Sequence, residues 1–247
     1  MDNIIRLQSV DSTNRYAKRL AREGASHKTL VMAEEQTEGR GRRGRGWISP
    51  AGEGIFMSLI LRPNVAPEHV PMISLHTALA VCLAISRVTG LEAKIKWPND
   101  IVLGGRKVCG MLLEMDADAQ QVRSVVAGIG INVHQTRFPE EIAHTASSLD
   151  LLCGRRLSRM EIVHAFLTAF DEGEKTAGEN PGLFMSAYRE SSATLGRRVQ
   201  EIALDETYTG TALDVTPGGS LIVLDEEGRR REVLAADVSV RGLMGYV

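Results

Sequence analysis

The densest chemistry in the chain is Gly39-Arg40-Gly41-Arg42-Arg43-Gly44-Arg45-Gly46, followed by Trp47. Four arginines are interspersed with four glycines in a protein whose formal net charge is -2. Glycine lets a backbone come close to a ligand, and arginine offers a fork of donors to phosphate or carboxylate. The stretch has little to bury, so it reads as a flexible loop that orders around an anion. Ordering costs about 1–2 kcal/mol per residue, which a charged ligand must offset, so binding and loop closure are coupled. Gly39, Gly41 and Gly44 carry the offsets of a dinucleotide fingerprint, but that motif needs a helix to start at the loop. Trp47-Ile48-Ser49-Pro50-Ala51-Gly52 reads as more loop instead. A solvated basic loop, or one that binds RNA nonspecifically, is the alternative.

Four more segments carry recognisable groups. Asp11-Ser12-Thr13-Asn14 supplies favoured helix caps. In Lys96-Trp97-Pro98-Asn99-Asp100, Pro98 fixes the backbone, Trp97 packs, and Asp100 projects from a short turn, where it could also serve only the turn. Arg106-Lys107 follows the Gly104-Gly105 turn. Gly128-Ile129-Gly130-Ile131-Asn132-Val133 is a β-run with small residues at alternate positions, which suggests close approach of another backbone or a flat ligand.

The elements that must position these groups follow from periodicity. Ile4 to Val10 reads as a strand, and a helix with Tyr16, Ala17, Leu20 and Ala21 on one face runs through Ala25. Thr29–Ala33 and Gly54–Leu61 read as strands. Pro67 opens a long helix whose Ile73, Leu75, Leu79, Leu83 and Val88 suit a core. Lys94–Trp97 and Ile101–Leu103 are short strands, and Val108–Met115 pairs with Val122–Val133. Helices follow at Ser158–Glu174 and Pro181–Ser191. After Leu195 the pattern becomes short strands, at Val199–Ala203, Tyr208–Val215, Ser220–Asp225 and Glu232–Val240, which suggests a small β-barrel.

Composition bounds the function. The chain has 247 residues and is 43% hydrophobic, enough for one sizeable core and a small extra domain. A sequence pI of about 6.3 argues against a broad nucleic-acid footprint. The start, Met1-Asp2-Asn3, is not that of a signal peptide, and the longest apolar stretch, Pro71 to Val88, is interrupted by polar residues short of a bilayer span. Cys82, Cys109 and Cys153 form no close-spaced pair, so a cytoplasmic protein with reduced thiols is expected. No histidine spacing suggests a protein-bound transition metal.

Taken together and in this order, the segments resemble the biotin protein ligases. The resemblance rests on Asp-Ser-Thr-Asn at 11–14, Gln36 with the basic stretch at 39–45, Lys-Trp-Pro-Asn-Asp at 96–100, Arg106-Lys107-Val108-Cys109-Gly110 and Gly-Ile-Gly-Ile-Asn-Val at 128–133. It implies an α+β fold of the biotin–lipoate ligase type: a mixed sheet with helices over 1–193, then a small SH3-like barrel over 194–247. It implies a two-step reaction, in which biotin and Mg-ATP give biotinyl-5′-AMP, which then acylates a lysine of a biotin carboxyl carrier domain. Relatives that also repress transcription carry an N-terminal DNA-binding domain. Here the motifs begin at Asp11, so a ligase without specific DNA binding is expected. A homodimer through the main sheet is a family trait, and a monomer stays open.

The resemblance also assigns residues. Ser12, Thr13, Asn14 and Gln36 match biotin contacts, and Arg40, Gly41 and Arg42 match contacts to biotin and the adenylate. Lys107 matches the lysine at biotin and the reacting acyl phosphate. Asp100 is the candidate to receive or orient the acceptor amine. Arg45, Trp47, Asn132 and Arg241 are the further nucleotide candidates. Lipoate–protein ligase is the nearest alternative, and the arginine–glycine stretch with Lys-Trp-Pro-Asn-Asp favours biotin over it.

Overall fold

The computed structural model describes residues 3–118, 120–202, 207–235 and 239–242, with backbone alone at 201–202, 207–208 and 239–242. The chain runs through β1 (Ile4–Val10), α1 (Thr13–Arg22), β2 (Thr29–Gln36), β3 (Gly54–Leu61), α2 (Val70–Thr89), β4 (Ala93–Lys96), β5 (Asp100–Leu103), β6 (Arg106–Ala117) and β7 (Val122–Asn132). Then come α3 (Glu140–Ala143), α4 (Leu149–Cys153), α5 (Arg159–Glu179), α6 (Pro181–Glu190), β8 (Arg198–Ile202), β9 (Thr207–Val215), β10 (Leu221–Asp225), β11 (Arg230–Val233) and β12 (Ser239–Gly242). Two compact units emerge: Met1–Val70 with Val108–Val163, and Pro71–Lys107 with His164–Val247.

In the first unit the strands lie in the order β1-β2-β3-β7-β6. β1 and β2 are parallel, and the remaining neighbours are antiparallel, so the sheet is mixed. A parallel pair needs a crossover, and α1 provides it. The helix meets the sheet through its smallest residues. Ala17 and Ala21 pack on Val31, Ile60 and Val126, with Leu7, Tyr16 and Leu20 around them. All eight residues of β3 are buried, Ser58 among them in an otherwise apolar run at the centre of the sheet.

The second unit is built around α2. The segment 67–89 has the length and apolarity of a membrane span, yet Leu75, Ala78, Val81 and Ile85 are buried among its protein neighbours. The His76 ring stacks on Phe170 of α5 at 4.1 Å, and its Nε2 lies 2.8 Å from the Phe170 carbonyl. The sequence reading put Leu83 on the core face, but it is 40% exposed. The β4–β5 hairpin carries the Lys-Trp-Pro-Asn-Asp turn. Trp97 is 1% exposed, and its indole N–H donates to the Gly219 carbonyl at 3.0 Å. Its backbone N–H donates to the Thr194 hydroxyl at 2.9 Å.

The same unit holds an antiparallel sheet in the order β11-β10-β9-β8-β12, where the strand spacing suggested a small β-barrel. One reading there needs correction. Glu232–Val240 is not one strand but parts of two, β11 and β12. Those strands occupy opposite edges of the sheet, so the chain must leave one edge before it joins the other. Ala203 lies outside the described residues. The helices α3 and α4 were not legible, since four and five residues are too short for a periodic signal.

Replacing Trp97 by Phe keeps an aromatic body but orphans the buried Gly219 carbonyl. Stability should fall by about 1–3 kcal/mol in equilibrium denaturation. A midpoint equal to wild type would show that this hydrogen bond does not hold the turn.

Candidate functional site

Ser12, Thr13 and Asn14 open α1 and are only 2%, 3% and 5% exposed. Ser12 stands at the N-cap position, but its side chain makes no capping hydrogen bond, so the capping reading of the motif is corrected. The cap comes from a neighbouring strand instead. Gln36 Oε1, at the end of β2, accepts the Thr13 backbone N–H at 2.9 Å and lies 3.0 Å from the Thr13 hydroxyl. The other end of that amide donates to Ser49 Oγ at 2.9 Å, and Ser49 donates to the Trp47 carbonyl at 3.1 Å.

Buried polar groups need partners, and those of Asn14 define the floor of the site. Strand register sets Ser58 of β3, Gly128 of β7 and Leu112 of β6 in one row across the sheet. Asn14 reaches down onto that row. Its Oδ1 lies 2.6 Å from the Ser58 hydroxyl, and its Nδ2 donates to the Leu112 carbonyl at 3.1 Å and to Glu114 Oε2 at 2.9 Å. Glu114 Oε1 accepts from Lys18 at 2.8 Å. Burial pushes the Glu114 pKa up, but the hydrogen bonds from Lys18 and Asn14 outweigh it and leave the carboxyl below its usual 4.5, ionised at neutral pH. Sequence reasoning missed Ser58, Ser49, Glu114 and Lys18. The faint signal was a lone serine in the apolar run of β3 and, in β6, a carboxylate directly after the apolar Met111-Leu112-Leu113.

The oxygens of this cluster are short of hydrogens. Gln36 Oε1, Thr13 Oγ1, Ser58 Oγ and Asn14 Oδ1 make three successive contacts of 3.0, 2.8 and 2.6 Å. Two hydroxyl hydrogens serve all three contacts. A ligand N–H could take the place of the Thr13 hydroxyl at Gln36 Oε1 and free that hydroxyl to donate to Ser58.

The alternate glycines of β7 make room for two side chains. A Cβ on Gly128 would sit 2.1 Å from Asn14 Oδ1, and one on Gly130 would sit 2.5 Å from Trp47 Nε1. Trp47 therefore lies against the row of the sheet where Phe56, Gly130 and Gly110 are paired.

The basic stretch is more regular than the sequence suggested. It forms a small hairpin, with Arg40 bridged to Gly46, and with the Gly41 N–H donating to the Arg45 carbonyl at 2.7 Å. The Trp47 N–H donates to the Gly39 carbonyl at 2.9 Å. Arg43 and Gly44 turn the chain through left-handed conformations, at φ 56° and 71°. Arg40, Arg43 and Arg45 are exposed and Arg42 is half-buried. The hairpin thus presents a cationic rim with its backbone hydrogen bonds already made.

In the second unit, Lys107 Nζ lies 2.6 Å from Asp100 Oδ1, and the two side chains are 25% and 14% exposed. Asp100 opens β5 and Lys107 follows one residue after the start of β6, so the intervening Gly-Gly turn brings them together. Asn132 is 6% exposed, and its Nδ2 donates to the Ser147 carbonyl at 3.1 Å, an engagement that holds the segment after β7. Arg241 lies on β12 opposite Gln200, and its side chain falls outside the described residues. Among the described residues no three His, Cys, Asp or Glu side chains converge as a metal site.

Fold and residues together define a ligase class. Residues 6–132 match the biotin/lipoate A/B protein ligase family, and residues 194–241 match the biotin protein ligase C terminal domain. A bifunctional ligase/repressor of Bacillus subtilis is 37% identical over 94% of this chain and 72% of its own length. A biotin–[acetyl-CoA-carboxylase] ligase of Mycobacterium tuberculosis is 36% identical over 85% of this chain and 77% of its own. The structure of the biotin protein ligase of Aquifex aeolicus in complex with biotin and ATP superposes with a TM-score of 0.84, at 32% identity, covering 98% of this chain and 100% of that one. The chain belongs to the biotin protein ligase family.

The fit of Trp47 against Gly130 is open to a direct test. Gly130→Ala should push the indole off the sheet and shift tryptophan emission to the red. An unchanged spectrum would mean that Trp47 packs elsewhere.

Proposed function

We propose that the chain joins biotin to Mg-ATP as biotinyl-5′-AMP and then transfers biotin to one lysine of a biotin carboxyl carrier domain. The observation that carries the ligand class is the hydrogen-poor oxygen cluster of Gln36, Thr13, Ser58 and Asn14. A ureido ring brings two N–H donors to such a cluster, whereas a dithiolane ring brings none. Ser12, Thr13, Asn14 and Gln36 then hold the ring.

In the first step a biotin carboxylate oxygen attacks the α-phosphorus of ATP, and the bond to pyrophosphate breaks. Arg40, Arg42 and the Gly41 backbone hold carboxylate and α-phosphate together and offset their repulsion. The family motif assigns Arg45 and Arg241 to the departing phosphates, Trp47 to adenine and Asn132 to the ribose end. Mg²⁺ would come bound to the nucleotide phosphates, keeping several of its waters, and would neutralise phosphate charge there. Lys107 stabilises charge on the phosphoryl oxygens.

In the second step the carrier amine attacks the acyl carbon and AMP leaves. A protonated lysine is a poor nucleophile, so its proton must go elsewhere. The Lys107–Asp100 pair offers a route. As Lys107 turns to the acyl phosphate, the Asp100 carboxylate becomes available to that proton.

The reading extends to a ligase without operator binding, which a net charge of -2 supports and a gel shift with operator DNA tests. Three free cysteines, two of them buried, support a reducing cytoplasmic setting. A boundary between ligase and C-terminal domains at 193/194 and a homodimer complete it.

ATP–pyrophosphate exchange with biotin or lipoate added separately tests the function. Exchange that needs biotin supports it, and exchange with lipoate alone moves the chain to the sister activity. Lys107→Ala should lower biotin-dependent exchange by about 10²-fold or more, the scale of losing one preorganised charge partner. Asp100→Ala should slow transfer to the carrier more than exchange, and equal losses in both would leave Asp100 only a turn-holding role.

A further inference from the structure

We infer that Glu114 is a positioning residue of the biotin pocket, which fixes the Asn14 amide with its oxygen toward Ser58 and so keeps the pocket one hydrogen-bond donor short. The inference rests on the biotin reading of that pocket.

A primary amide can face its surroundings in two ways, with oxygen and nitrogen exchanged, and its partners decide which. Here the partners are unequal. On one side stand the Leu112 carbonyl and the Glu114 carboxylate, 3.1 and 2.9 Å from the amide nitrogen. Both only accept. On the other side stands the Ser58 hydroxyl, which can donate or accept. Turning the amide over would set its oxygen against a carbonyl and an ionised carboxylate. It would also aim an NH₂ at Ser58 and supply the missing hydrogen, so the cluster would no longer demand a donor from its ligand.

The carboxylate carries most of this discrimination. A hydrogen bond to an ionised acceptor is roughly twice as strong as one to a neutral carbonyl. Lys18 holds the second carboxylate oxygen at 2.8 Å, so Glu114 has one orientation rather than several. Gly128 leaves the space in which Asn14 lies between the two. Glu114 is thus placed to act on the ligand only through Asn14, and its effect should fall on recognition of the N–H-bearing ring, not on the nucleotide.

The test compares full-length wild type, Glu114→Ala, Glu114→Gln and Thr13→Ala in biotin-dependent pyrophosphate exchange, with separate KM values for biotin and ATP. Glu114→Ala should raise KM for biotin about tenfold, the scale of one lost hydrogen bond to a charged group, with KM for ATP and kcat nearly unchanged. Glu114→Gln still offers an oxygen to Asn14 and should restore most of the biotin KM. Two outcomes overturn the positioning role alone: an unchanged biotin KM in Glu114→Ala while Thr13→Ala raises it, or a joint rise in both KM values with a lowered melting temperature. If Thr13→Ala also leaves the biotin KM unchanged, the pocket reading fails and the inference falls with it.

Discussion

A missing side chain organises the first unit. Because Gly128 has no Cβ, the Asn14 amide can lie directly on the sheet, where an added carbon would come within 2.1 Å of its oxygen. Ala17 and Ala21 let the rest of α1 come equally close. The descent of the helix end brings Thr13 to Gln36 and Ser58, and from there the hydrogen bonds pass through Ser49 to the base of the basic hairpin. Two rows further along, Gly130 repeats the arrangement for Trp47. Two rows of the sheet, with the Met57–Ile129–Met111 row between them, thereby set a polar floor and an aromatic wall with a spacing that neither loop could fix alone.

Charge is arranged differently in the two units. The hairpin keeps Arg40, Arg43 and Arg45 exposed on a backbone that is already hydrogen-bonded across the turn. Lys107 is instead largely buried and balanced by Asp100. A buried charge without such a partner would be costly. The turn that carries Asp100 is in turn held by the indole of Trp97.

Much of this was legible in the residues. The apolar run of β3 gave both of its boundaries, because Gly54 and Pro63 punctuate it. The motif segments pointed to the ligand class as a set. The functions of Ser58 and Glu114 were hidden for a physical reason. Ser58 is the single polar residue of β3 and Glu114 one of several in β6, and their meaning arises only when register lines up Ser58, Gly128 and Leu112 beneath a helix from elsewhere in the chain. The same limit applied to β11 and β12, whose separation depends on which sheet edge each one joins. Leu83 fitted the helical period but fell at the margin of the buried face, where periodicity does not resolve exposure.

The cap of α1 has a consequence for the birth of the protein. The first helical N–H is satisfied by Gln36, 23 residues downstream, and the Asn14 amide waits for Glu114, 100 residues downstream. At a synthesis rate of roughly 5–20 residues per second, the second partner follows Asn14 by about 5–20 seconds. A nascent α1 therefore emerges without its cap or its anchor, as a ten-residue segment too short to hold helical form in water. The polar cluster at the start of α1 is written near the start of the chain, but it becomes structure only after nearly half of the chain has been made.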